Sequence, residues 1–138
     1  MRKFGAPETC IRVYRHWSVL LRRPQVTLGS LILAAHDQAS AFSQLKAASF
    51  AELHQVIMDV ETALSRAFEY DKINYLMLMM VDPDVHFHAL PRYSSGRTFE
   101  NHEFVDAGWP GPPDLKSHNE SDESLCGRIM SRIRACWP

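Results

Sequence analysis

The chain reads as one α+β domain in which antiparallel strands pack against a long helix, with a second helix at the C-terminus. Three observations predict this class. The 138 residues, 46% hydrophobic and 22% charged, have the size and balance of a single globular core. Short runs rich in β-branched and aromatic residues recur with tight breaks between them. One segment, beginning at Ser49 and running to Phe68, carries its apolar residues at helical spacing.

The first ten residues show polar, Gly and Pro signals without periodicity, so 1–10 is expected to be a loosely ordered arm. From Ile11 to Leu21 the β-branched and aromatic content rises through Val13, Tyr14, Trp17 and Val19. A second apolar run, Leu28 to Ala35, follows the break at Arg22-Arg23-Pro24-Gln25, and together they predict two paired strands. Ser49 with Glu52 three residues on forms a capping-box pattern. Leu53, Val56, Ile57, Val60, Leu64, Ala67 and Phe68 then give the helix one buried stripe.

Ile73 to Val81 is an almost continuous apolar run, rich in Met, whose abrupt end at Asp82-Pro83 favours a strand. Residues 84–91 alternate and follow at once, which predicts an antiparallel pair. Residues 94–121 lose all periodicity through Trp109-Pro110-Gly111-Pro112-Pro113. Helical spacing returns at 122–135 with Leu125, Ile129 and Ile133, and Arg132 and Arg134 complement its carboxyl end. There is no internal repeat and no sign of a second domain, so 1–138 is expected to be one unit.

Composition excludes several functions. Fifteen Lys and Arg against sixteen Asp and Glu give a net charge of -1, too little for a field that holds a nucleic acid backbone. The apolar stretch Tyr75 to Val81 is far shorter than a membrane span, and Met1 to Cys10 lacks the apolar centre of a signal peptide. No membrane partner and a cytoplasmic location are therefore expected. Cys10, Cys126 and Cys136 form no C-x-x-C pair and suit reduced thiols.

Chemistry concentrates in the alternating run Asp84-Val85-His86-Phe87-His88-Ala89-Leu90-Pro91. Along an extended strand, same-face neighbours lie within about 7 Å, so Asp84, His86 and His88 are expected to converge on one face. Two imidazoles flanked by apolar Val85, Phe87 and Leu90 favour a site over a solvated surface. Two chemistries fit the spacing. His86 and His88 bind a divalent metal, with Asp84 or a distant residue completing the shell. Alternatively, one neutral imidazole attacks phosphorus while its neighbour donates a hydrogen bond to the phosphoryl oxygens.

The run Val85-His86-Phe87-His88-Ala89-Leu90-Pro91-Arg92 resembles the active-site strand of the histidine-triad (HIT) family, His-φ-His-φ-His-φ-φ with φ apolar, often continuing into Pro-Arg. Leu28-Gly29-Ser30-Leu31-Ile32-Leu33 and Phe42-Ser43-Gln44-Leu45 are similar to two upstream family segments, in the same order. The likeness spans roughly residues 12 to 93. A bacterial branch with a shortened loop before the triad strand also shares the Trp109-Pro110-Gly111-Pro112-Pro113-Asp114 run.

The resemblance implies an antiparallel sheet of about five strands under a long helix, dimerising into one ten-stranded sheet. It implies a nucleotide substrate, a dinucleoside polyphosphate or a phosphoramidate, cleaved through a covalent nucleotidyl-histidine, with no cofactor and no protein-bound metal. His86 would be the nucleophile and His88 the phosphate contact. Asp84 replaces the first triad His; since the family holds the nucleophile's far ring nitrogen on that residue's backbone carbonyl, His86 can keep its orientation. Arg22 stands where relatives carry a ribose-binding Asn or Asp, and would pair with nucleotide phosphate. The loop before the triad is cut to Val81-Asp82-Pro83, without Ser, Thr or Gln. These departures leave a degenerate domain that binds a nucleotide or a partner without turnover as the second reading, and an H-x-H metal enzyme as the third.

Overall fold

The computed structural model describes residues 3–138. In chain order the elements are β1 (Cys10–Val13), β2 (Trp17–Leu21), β3 (Leu31–Ala35), α1 (Ala47–Phe68), β4 (Lys72–Leu76), β5 (His86–Arg92), β6 (Arg97–Phe99), β7 (His102–Phe104) and α2 (Glu123–Ala135). The first five strands make one antiparallel sheet in the order β1-β2-β3-β5-β4, and β6 and β7 form a separate hairpin. An α+β class with five antiparallel strands, a long helix and a C-terminal helix is what the sequence predicts. No helix among the described residues is long and apolar enough to cross a membrane.

The two faces of the sheet differ because side chains alternate along each strand. One face packs Trp17, Val19, Leu21, Leu31, Leu33 and Ala89 with Val56, Val60, Leu64 and Phe68 of α1 and Leu125, Ile129 and Ile133 of α2. This is the main core. The other face carries the small apolar set Leu20, Ile32 and Ala34, joined by Ala6 from the N-terminal segment.

Several local expectations are corrected. Ile11 to Leu21 is not one strand: the chain turns at 14–16, where the Tyr14 N–H donates to the Trp17 carbonyl at 2.7 Å. β3 begins at Leu31 rather than Leu28. Gly29 has φ +87°, and a Cβ there would lie 3.0 Å from the Phe68 ring, so this turn takes glycine. Buried Gln25 fastens it, donating to the Arg22 and Ser30 carbonyls and accepting from the Gly29 N–H.

The Ser49 capping box does not form. α1 starts two residues earlier, and Ser49 donates instead to Asp37 at 2.7 Å while Asp37 also accepts from the Lys46 N–H. A carboxylate distant in sequence thus does the work of a local cap. α2 is capped by Asp122, which accepts from the Leu125 N–H at 2.7 Å.

The apolar run expected as a strand to Val81 leaves the sheet after Leu76, whose partner is His88. Residues 77–85 form a connection in which Met79 takes φ 50°. Met80 and Val81 project into solvent, at 86% and 102% relative exposure. The segment 94–121 includes the β6–β7 hairpin and is tied to the sheet by Arg92. That buried guanidinium donates twice to Asp106, at 2.7 and 3.1 Å, and also to Asn74 and the Gly111 carbonyl.

Candidate active site

β5 lies between β3 and β4 and carries both histidines. Phe87 and Ala89 point into the core, Phe87 against the rings of Trp17 and Phe42 at 6.1 and 5.8 Å. Alternation then turns His86 and His88 to the opposite face. There His86 sits across from Ala34 and His88 across from Ile32, a small apolar floor. The two imidazole centroids are 5.1 Å apart and their planes nearly perpendicular, at 74°.

Hydrogen bonds give the two rings different tautomers. His86 Nδ1 lies 2.7 Å from the main-chain carbonyl of Asp84. A carbonyl only accepts, so Nδ1 carries the proton and Nε2 of the neutral ring keeps its lone pair. His88 is the reverse case. Arg22 Nε donates to His88 Nδ1 at 3.4 Å, a long bond, which leaves the proton of neutral His88 on Nε2. One ring offers a nucleophilic nitrogen and the other an N–H donor.

Burial, then the Arg22 guanidinium and the His86 ring, hold the His88 pKa down at about 4, so His88 is neutral at pH 7. Burial likewise lowers the Arg22 pKa, although a guanidinium stays charged at neutral pH. Arg22 is anchored by its Nη1 donating to the Pro24 carbonyl at 2.7 Å. The cleft beside the histidines is lined by Arg22, Phe4, Asp82 and the side chains of 78–81.

His86, His88 and Arg22 are therefore brought together, as their positions in sequence suggested. Asp84 lies outside the strand. β5 begins at His86, and Asp84 belongs to the preceding turn, where its N–H donates to Asp82 Oδ1 at 2.9 Å. The residue borders a different pocket, beside His36, Asp37, Gln38, Ser40 and Gln44. What Asp84 supplies to His86 is its backbone oxygen.

Two contributors escaped the sequence reading. Phe4, in the expected loose arm, rests on His86 with ring centroids 4.8 Å apart. Asp82, in the shortened loop before β5, lines the histidine cleft. Neither position carries a local signal, although exposed Met80 and Val81 show that the loop before β5 is unusually apolar for a surface. His102 lies on β7, away from the cleft. Among the described residues, no group of three His, Cys, Asp or Glu side chains is placed to hold a metal ion.

No protein-family model and no curated protein matches the chain. Solved structures do match it. A histidine triad protein of Bradyrhizobium japonicum is 22% identical, with 95% of this chain and 92% of that one covered and a TM-score of 0.75. A histidine triad (HIT) protein of Sinorhizobium meliloti is 21% identical over 92% of this chain and 87% of that one, with a TM-score of 0.74. The diadenosine triphosphate hydrolase of Plasmodium falciparum is 7% identical over 94% of this chain and 76% of that one, with a TM-score of 0.66. The chain has the histidine-triad fold.

Proposed function

We propose that the protein is a HIT-type nucleotide hydrolase or nucleotidyl transferase that works through a covalent intermediate on His86. The observation that carries this reading is the 2.7 Å hydrogen bond between His86 Nδ1 and the Asp84 carbonyl, which prepares Nε2 for attack. Nε2 attacks the phosphorus of a nucleoside monophosphate group. The bond to the leaving group breaks, and the leaving group takes the electron pair and a proton from solvent. Water then attacks the phosphorus and loses a proton to solvent, and the phosphorus–nitrogen bond breaks with its electron pair returning to Nε2, releasing the monophosphate and restoring His86. Neutral His88 donates Nε2–H to a phosphoryl oxygen, and Arg22 pairs with phosphate.

Asp84 takes part through its carbonyl, which orients the nucleophile. The substrates are those of histidine-triad hydrolases, dinucleoside polyphosphates or phosphoramidates. A homodimer belongs to the same reading. β1 is irregular, with a register shift between Cys10 and Arg12, whereas β4 presents five regular residues at the other edge. A regular open edge invites a second copy, so two β4 strands would join the sheets into one of ten strands.

One observation favours the second reading, binding without turnover: His86 keeps only 4% of its surface exposed beneath Phe4. A single experiment separates the two. The native protein and His86→Ala are incubated with diadenosine polyphosphates and adenosine phosphoramidates, with and without chelator. Release of AMP and the mass of a nucleotidyl adduct are followed. Turnover through an adduct on His86 that is lost in the variant supports the hydrolase; nucleotide bound with neither adduct nor AMP supports the binding domain.

A further inference from the structure

The N-terminal segment lies on the histidines. Phe4 is tilted 44° across the His86 ring at 4.8 Å. Its carbonyl accepts from the Thr9 hydroxyl at 2.7 Å, and the Thr9 N–H donates to the Gly5 carbonyl at 3.3 Å. Ala6, next in the chain, is buried with Leu20, Ile32 and Ala34 on the open sheet face. The turn that holds Phe4 in place is tight. Gly5 has φ +83°, and a Cβ there would stand 2.9 Å from Thr9 Cγ2 and 3.2 Å from Arg23 Nε. Phe4 itself takes φ 60°, a left-handed conformation that a bulky residue adopts only under constraint.

Phe4 also partitions the cleft. On one side of it lies a pocket with Gly5, Arg22, Arg23, Pro24 and Ile32; on the other lie Leu78, Met79, Met80 and Val81. Both pockets reach Arg22 and His88. An attacking nitrogen needs its phosphorus within about 3–3.5 Å, and His86, packed against Phe4, keeps only 4% of its surface exposed.

We propose that residues 4–7 are a lid over His86 that lifts to admit the phosphorus group. Closed, the lid shields the nucleophile and divides the cleft. Open, it releases Phe4 from its strained backbone and joins the two pockets, so that one substrate reaches from the Arg22–Arg23 side to the methionine loop. The catalytic consequence rests on His86 being the nucleophile; the lid itself does not.

The test measures modification of each histidine by diethyl pyrocarbonate, residue by residue, using mass spectrometry. The wild type is compared with Phe4→Ala and with Gly5→Val, which opens the same turn without removing the ring. His54, exposed on α1, is the internal reference. If the lid is closed nine-tenths of the time, opening it raises the His86 rate about tenfold while His54 is unchanged. An unchanged His86 rate in folded Phe4→Ala overturns the lid, and Gly5→Val decides if Phe4→Ala fails to fold. Faster His86 modification without any nucleotidyl adduct keeps the lid and removes the hydrolase reading.

Discussion

The carbonyl oxygen of Asp84 and Nδ1 of His86 are 2.7 Å apart, and Asp84 also borders a different pocket. The His86 ring is therefore oriented by a main-chain contact. Replacing Asp84 with Asn should keep nucleotidyl adduct formation within about threefold, whereas His86→Ala should abolish it. Quantifying the adduct in both variants checks this; a loss in Asp84→Asn as deep as in His86→Ala would assign the carboxylate a direct role.

His88 gives the fold a pH dependence. Its folded pKa, about 4, lies below that of an unfolded histidine, about 6.5, because burial opposes the charged ring. The unfolded chain therefore binds the extra proton first as pH falls. The stability held by neutral His88 is complete above pH about 6.5 and declines toward about 4. Melting temperatures across that window should fall more steeply for the native protein than for His88→Gln; parallel curves would contradict this.

Arg22 is a smaller cause of the low His88 pKa than burial is. Arg22→Gln should raise the His88 pKa part of the way toward its ordinary value, and nitrogen chemical shifts of the ring followed against pH report it. The same change should weaken nucleotide phosphate binding and flatten its salt dependence. No movement of the His88 titration would mean that the guanidinium and imidazole do not interact in solution.

Arg92 and Asp106 are a buried pair, with 4% and 1% side-chain exposure. Asp106→Ala would leave the guanidinium charged, buried and short of two hydrogen bonds, at a cost of about 3–5 kcal/mol. Denaturant unfolding checks the figure. A double change of both residues to apolar side chains should cost much less, because it leaves no charge behind.

Legibility in the sequence followed the range of the interactions involved. The stripe Val56, Val60, Leu64 and Phe68 and the run Leu125, Ile129 and Ile133 identify the two helices, since helical periodicity is written in neighbouring residues. The alternation around His86 and His88 places both rings on one face for the same reason. The start of α1 differs from the expectation because Asp37 accepts the N–H of the N-cap residue Lys46 from nine residues away. The end of β4 was misread because an apolar run carries no mark of where its partner strand ceases to pair with it.

By itself the sequence determined the class of fold, the helices and the pair of imidazoles side by side, because each depends on local pattern. The family resemblance already implied a hold on His86 by the Asp84 carbonyl; tertiary structure gave that contact its geometry and alone decided that Arg22 meets His88 Nδ1 and that Phe4 covers His86. Those three contacts depend on how a turn, a strand end and a terminal segment are positioned by the packed sheet. Such positions arise from the whole set of burial and hydrogen-bond constraints, which no short stretch of residues contains.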